Sequence, residues 1–437
     1  MKIKYRIKSQ ILACIFFIGF LFTIFPSKAQ NSCDQLGFSN GWMLHMDDQE
    51  VDQITSACAE TGALYFRVDI AWTDVQHEGS DSWYWDNVDR VVLSAKQKGL
   101  ETIGILDYFP PWADTTTDTS FWSNFVYQAG LRYIPQGISV WELWNEPNIT
   151  NFWPQPNVEE YVNQVLIPGS IAIKRAADEM NISITVLTAG LAPAATDGTN
   201  ISQEDFITGI YELEASDYFD AVGHHPYCWP LDPSIPNPYN WLLKTENIYD
   251  IMVENGDGDK KIWCTELGWP TIMNSNLNVT ESQQADYLAK SVKLWNEWEF
   301  TGPLLWYAYN DAGTNQNNPE DNFGLVDYDF NAKPALDAFL NLIQNCSIDT
   351  TTRVQYISKK KIIISPNPNS GRLAINGLPL NSTIRIVNAV GQVYLSVYAA
   401  QESITLDVKN ISNGLFFLEI RNQENQIILL EKIIRID

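Results

Sequence analysis

The feature that most restricts what this chain can become is a repeated alternation. Short β-branched or aromatic runs are followed, eight times over, by stretches with helical apolar spacing. The runs that read as strands are Gly41–His45, Leu64–Ile70, Glu101–Leu106, Ser139–Trp144, Ser183–Ala189, Ala221–His225, Lys261–Thr265 and Leu304–Tyr309. Helical patterns between them include Trp85–Lys98, Val158–Met180, Gln203–Ala215 and Glu281–Trp298, and Pro334–Ile343 closes the series. Strands separated by helices imply parallel pairing, because a parallel neighbour needs a long crossover. Eight such units between Gly37 and Asn345, at about 39 residues each, match the count of a (β/α)8 TIM barrel. A doubly wound sheet is the competing α/β arrangement, but Gly37-Phe-Ser-Asn-Gly41 lacks the spacing of its glycine-rich phosphate turn.

The chain has other parts on either side of this core. Lys2, Lys4, Arg6 and Lys8 precede an apolar run from Ile11 to Phe25, and Ser27-Lys28-Ala29 supplies a small-x-small cleavage site. Residues 1–29 therefore read as a signal peptide; the run is short for a membrane span, and no other stretch could form one. Residues 30–346 form the barrel domain, and the polar stretch 347–361 reads as a linker. Residues 362–437 change texture, to short alternating strands punctuated by Asn376-Gly377 and Asn413-Gly414, as in a small all-β sandwich. All sixteen tryptophans precede this tail.

Charge and cysteine content exclude several function classes. The leader is basic and the tail balanced, so the acidity behind the net charge of −25 resides in the barrel. Such a surface repels nucleic acid and polyanionic glycans at long range, and it also aids solubility. Export permits disulfides, but Cys33, Cys58, Cys228, Cys264 and Cys346 make an odd set after cleavage. Cys228 and Cys264 end neighbouring strands and could bridge. There is no CxxC and there are only four histidines, so no metal site and no cofactor are expected.

Chemistry concentrates at two strand ends. In Trp141-Glu142-Leu143-Trp144-Asn145-Glu146-Pro147-Asn148 the proline ends the strand, which leaves Glu146 at its C-terminal mouth among indole rings. Partial desolvation there raises a carboxyl's pKa, as a general acid requires. Ile262-Trp263-Cys264-Thr265-Glu266-Leu267-Gly268-Trp269-Pro270 repeats the design about three units later, on strand seven. A barrel's site is built from the C-terminal ends of its strands, so Glu146 and Glu266 face each other across the mouth. Two carboxyls among aromatic walls suit glycosidic bond cleavage: one protonates the leaving oxygen, and the other attacks the sugar or activates water.

These motifs resemble the retaining glycoside hydrolases of clan A. The barrel is most similar to bacterial members of glycoside hydrolase family 39, and next to cellulase-like family 5. The resemblance continues through Phe66-Arg67-Val68-Asp69-Ile70-Ala71-Trp72, His225-Pro226-Tyr227 and Leu304-Leu-Trp306-Tyr307. It implies that Glu146 is the acid/base and Glu266 the nucleophile of a double displacement. It further implies that Asn145 bonds the sugar 2-hydroxyl, Arg67 keeps Glu266 ionised, Tyr227 bonds the nucleophile, and Trp306 is the platform under the reacting sugar.

Weaker candidates accompany these. His45, at the end of the first expected strand, contacts substrate or is structural. Strand alternation turns one of His224 and His225 inward, and His225 is taken as that one. Trp144 and Trp269, with Trp72, Trp112 and Trp153, stack on sugars or pack in loops; their spread suggests a long open cleft. Glu142 reads as a supporting carboxylate. In the tail, Ser365-Pro-Asn-Pro368, Asn369-Ser-Gly371 and Ile411-Ser-Asn-Gly-Leu415 resemble the C-terminal sorting domain of the type IX secretion system. That implies export across the outer membrane to the surface or the medium, with the secretion machinery as partner. The expected function is hydrolysis of a neutral poly- or oligosaccharide; a glycan-binding protein without turnover and a transglycosylase are the alternatives.

Overall fold

The computed structural model describes residues 35–113, 118–272, 277–346, 362–366, 369–388, 392–422 and 427–436. The expected signal peptide and linker lie outside these residues. The chain divides into two units, Met1–Asp349 and Thr350–Asp437.

In the first unit eight strands close into a parallel barrel in sequence order, with β1 hydrogen-bonded to both β2 and β8. The strands are β1 Leu36–Ser39, β2 Tyr65–Ala71, β3 Glu101–Asp107, β4 Val140–Leu143, β5 Thr185–Leu187, β6 Ala221–His224, β7 Lys261–Leu267 and β8 Thr301–Trp306. Each is followed by a helix of the outer ring: α1 Asp48–Glu60, α2 Asp86–Gln97, α3 Ser120–Tyr133, α4 Ile167–Met180, α5 Gln203–Glu212, α6 Thr245–Glu254, α7 Glu281–Glu297 and α8 Pro334–Cys346.

Local chemistry explains where the helices begin and end. Asp47 and Glu50 form a reciprocal capping box at the start of α1, and Thr280 and Gln283 do the same for α7. Each such cap is worth about 1 kcal/mol. Asn181 closes α4 in the left-handed region at φ 54°, a conformation its short amide tolerates. On α2, Val88, Val91, Val92 and Ala95 form one buried stripe at helical spacing. Inside the barrel, Ile103, Val140, Leu187, Ala221 and Leu305 form a plug with Tyr65 and Trp263 against it. Truncating Ile103 to Ala would cost about 2–5 kcal/mol, because a closed barrel cannot collapse onto the void.

Two expected strands shift along the chain. Gly41–His45 is not a strand; β1 lies upstream, and Met43–His45 is a turn of 3-10 helix. A Cβ on Gly37 would come 2.5 Å from the Tyr65 carbonyl oxygen, so this glycine permits close strand contact and does not mark a turn. β8 begins at Thr301, three residues before the expected start, and the register of β7 on β8 shifts between Ile262 and Cys264 beside Pro303. Such irregularities are where a sheet accepts proline.

In the second unit a three-stranded antiparallel sheet, ordered β13-β10-β9, accompanies a four-stranded one, ordered β12-β11-β14-β15. These strands are β9 Ile363–Ser365, β10 Arg372–Asn376, β11 Ser382–Val387, β12 Val393–Ala399, β13 Ser403–Asp407, β14 Gly414–Arg421 and β15 Ile427–Arg435. Inward residues of both sheets, among them Leu373, Ile375, Ile386, Leu406, Leu418 and Ile433, share one core. That is the sandwich expected from the alternating pattern.

Candidate active site

Above the apolar plug the barrel interior turns polar. Alternation along β2 puts Arg67 and Asp69 on the inner face above Tyr65, and along β3 it puts Asp107 above Ile103 and Ile105. Arg67 is almost fully buried and organises the layer. Its Nε donates to Glu142 at 2.6 Å, and Nη1 donates to Glu266 at 2.5 Å and to Ser39 at 3.3 Å. Nη2 donates to the Asn145 carbonyl at 3.0 Å, which leaves the Asn145 NH2 as that side chain's remaining donor. Glu142 also accepts from the Gly190 amide and from the Thr265 hydroxyl, so its role is to hold Arg67 and the β4 end in place.

Backbone geometry aims the acid candidate. Trp144 and Glu146 both have positive φ, 83° and 46°, on either side of an Asn145–Gly190 bridge to the strand-five segment. Bulky residues rarely occupy that region, and such strain collects at functional positions. The Trp144 ring, 3% exposed, is clamped by Phe109, Trp122 and Trp153, so the kink is held from behind by aromatic packing.

The two glutamates converge on one histidine. His225 Nδ1 lies 2.7 Å from Glu146 Oε1 and 3.7 Å from Glu266 Oε2. One donor atom from each of Glu146, His225 and Glu266 lies within 4.8 Å of the others. The Thr265 hydroxyl proton goes to Glu142, so His225 Nε2, 3.0 Å away, donates to Thr265. Nδ1 is then left to share a proton with Glu146. His224 points the other way, between Gln203 and Thr245, and burial pushes it down to about 3; it stays neutral.

Environment separates the two carboxyls. Burial raises Glu146, and repulsion from Glu266 adds to this against the opposing pull of His225. Burial would also raise Glu266, but His225, Arg67 and the Tyr227 hydroxyl, which donates at 2.9 Å, together hold it below the ordinary value. His225 itself is raised, because the two carboxylates outweigh its burial. Among the described residues, Glu146, His225 and Glu266 form the group spaced to hold a metal ion. Arg67 already supplies positive charge there.

Several expected substrate contacts are elsewhere. Trp306 and Trp269 are fully buried and stacked on each other, centroids 5.9 Å apart, with the Trp269 indole donating to the Leu231 carbonyl. Neither presents a face to a sugar. Alternation along β8 turns Trp306 outward and the next residue, Tyr307, inward, where its ring lies 6.4 Å from Tyr227 and 5.7 Å from Trp42. The His45 side chain is 72% exposed, on the 3-10 turn after β1, and lies 3.9 Å from Asp74, just past the end of β2. Trp72 and Trp153 are also buried, and Trp112 is half-buried with its indole donating to the Gln76 carbonyl, so these tryptophans do not form a continuous open cleft wall. Cys228 and Cys264 are both free thiols.

Sequence reasoning missed Thr265 as a link, Tyr307, and three carboxyls. Asp69, Asp107 and Glu320, the last accepting from Tyr307 at 3.2 Å, all interact electrostatically with the site. Asp69 was detectable, because it stands two residues after Arg67 and therefore on the same strand face.

The closed parallel barrel, with carboxyls at the ends of β4 and β7, has a fold shared with several solved glycoside hydrolases. The structure is similar to a family 39 glycoside hydrolase from Bacteroides cellulosilyticus WH2, with TM-score 0.56 and 17% identity over 87% of this chain and 82% of that one. It is also similar to a family 5, subfamily 18 enzyme from Bifidobacterium longum subsp. infantis, with TM-score 0.55 and 14% identity over 71% and 78%. A glucosidase from Croceicoccus marinus gives TM-score 0.56 and 11% identity over 85% and 92%. At these identities the likeness establishes the fold. No curated protein matches the sequence. Residues 363–436 match the family described as a secretion system C-terminal sorting domain. The chain is thus exported through the type IX machinery, and is secreted or held at the cell surface. Among the described residues no helix is long and apolar enough to cross a membrane.

Proposed function

We propose that the barrel is a retaining β-glycoside hydrolase acting outside the cell on a neutral poly- or oligosaccharide. The observation that carries this reading is the carboxyl pair: oxygens of Glu146 and Glu266 within 4.8 Å, held in opposite protonation preferences. Carboxyls about 5–5.5 Å apart suit direct attack on the sugar, whereas an inverting pair leaves room for a water between them. Glu266, kept anionic by Arg67 and Tyr227, attacks the anomeric carbon while Glu146 protonates the departing oxygen. The Glu266–sugar ester is then hydrolysed by a water that gives its proton to Glu146. His225 shares that proton through Nδ1 in both half-reactions. The free NH2 of Asn145 is placed to bond the 2-hydroxyl, a contact that strengthens as the ring flattens.

The test is reducing-end release from β-glucan, xylan and mannan by the wild type, Glu146→Gln and Glu266→Gln. The expected result is turnover by the wild type, a loss of at least about a hundredfold in Glu146→Gln, and no turnover in Glu266→Gln. Proton NMR of the first-formed anomer should show retained configuration. An inverted product, or glycan binding with no turnover by the wild type, overturns the reading.

A further inference from the structure

One pair of carboxyls at the mouth has no part in the double displacement. Asp69 is the next inward residue above Arg67 on β2, about 6.7 Å along the strand. It is half-buried, and among the described residues no donor is hydrogen-bonded to it. Its Oδ2 faces the loop after β1, 3.7 Å from where a Cβ on Gly41 would stand. On the neighbouring strand Asp107, the last inward residue of β3, pairs in register with Ala71, two residues beyond Asp69; it is fully buried, and among the described residues neither of its carboxyl oxygens has a hydrogen-bond partner. Buried polar atoms are nearly always satisfied, so two empty acceptors beside a reaction centre require an explanation.

The surrounding charge restricts what can fill them. Burial raises Asp69 to about 7, against the pull of Arg67 and with repulsion from Glu266, Glu142 and Asp74 adding to it. Asp107 is raised well above the carboxylate range by burial and by Asp69. Arg67 directs its donors to Glu142, Ser39, Glu266 and Asn145 and is not free to meet an anion. Glu320, bonded to Tyr307, adds another carboxyl that feels both Glu146 and Glu266. A ligand here meets acceptors, not cations.

Resting on the glycosidase reading above, we propose that Asp69, backed by Asp107, binds hydroxyl groups of the sugar held by Glu266 and excludes sugars that carry a carboxylate there. Asp69 is the substrate-touching member. Asp107 is a positioning residue whose buried carboxyl acts on Asp69 through their mutual repulsion. The substrate class is thereby narrowed to glycans with a neutral, hydroxyl-bearing glycone.

The full chain is tested on two matched sets: β-glucan, xylan, mannan and 4-nitrophenyl β-D-glucoside, against alginate and 4-nitrophenyl β-D-glucuronide. Wild type should cleave members of the first set only. On the substrate cleaved, Asp69→Ala should lose about tenfold or more in kcat/KM, expressed mainly in KM, as expected for a lost hydrogen bond to a charged group. Asp69→Asn, isosteric and therefore protected against misfolding, should narrow the preference against the glucuronide. Asp107→Asn should raise KM with little change in kcat, a split that a purely structural role would not produce. Thermal melts confirm that each variant is folded. Cleavage of uronides by the wild type, or a kcat/KM within twofold of wild type in both Asp69 variants, overturns this inference and leaves the double displacement by Glu146 and Glu266 standing. No cleavage in either set overturns both.

Discussion

His225 Nδ1 sits 2.7 Å from Oε1 of Glu146, on the ring edge opposite the one it presents to Thr265. The ring is therefore locked by a neutral hydroxyl on one side and free to exchange a proton with the acid on the other. Replacing it with Phe removes the main interaction that pulls Glu146 down, and burial and Glu266 are then opposed by Arg67 alone. The descending limb of the pH–rate profile should move to higher pH, with kcat about 10–100-fold lower. The check is kcat/KM against pH for His225→Phe and the wild type.

Arg67 controls the other limb. With the guanidinium gone, burial of Glu266 is less well opposed, so its pKa rises and the ascending limb moves to higher pH. Arg67→Met should also destabilise the fold by about 3–5 kcal/mol, since Glu142 and Glu266 are left as close buried carboxyls. In the wild type Glu266 has a depressed folded pKa. Its stabilising contribution is fully present above the unfolded value of about 4.3 and is lost as pH falls through the lower folded value. Denaturant titrations between pH 3 and pH 6, a range set by those carboxylate values, measure both effects.

Trp269 and Tyr307 should separate stability from binding. Trp269→Ala removes a fully buried ring and the bond to Leu231, at a cost of about 3–5 kcal/mol. Tyr307→Ala removes a half-buried ring from the mouth, and its effect should fall on KM. Melting curves and Michaelis constants, taken together, distinguish the two roles.

The tail should act on location and not on rate. Deleting residues 363–436 removes the segment that matches the sorting domain. The expected result is retention of the protein inside the producing cell, with glycosidase activity moving from the surface or medium to the cell extract. Immunoblots and activity of the two fractions supply the measurement.

Much of this architecture was legible in the residues, because the barrel's period and its two carboxylate motifs are local patterns. Glu146 and Glu266 are brought together by strand count alone. What was not legible followed from packing. The first strand was misplaced along the chain: Gly37 lies inside it, and its missing side chain is what lets β1 approach Tyr65. The tryptophans misled for a different reason. An indole at a strand end has the same sequence signature whether it faces a sugar or the helix layer, and one residue of alternation decides, as Trp306 and Tyr307 show. Asp69 and Asp107 escaped notice because a single aspartate in a strand run carries no motif. Their shared inner face appears only when Arg67 is used to set the phase.

The left-handed backbone at Trp144 and Glu146 has a consequence for how such a protein can change. The direction of the proton donor is set by a kink in the main chain, braced by Phe109, Trp122 and Trp153. Mouth loops other than those carrying Phe109 and Trp153 can lengthen, shorten or exchange side chains without turning that kink. Chemistry and selectivity are thus mechanically separate, and new glycans can be accommodated while the aim of the acid stays the same.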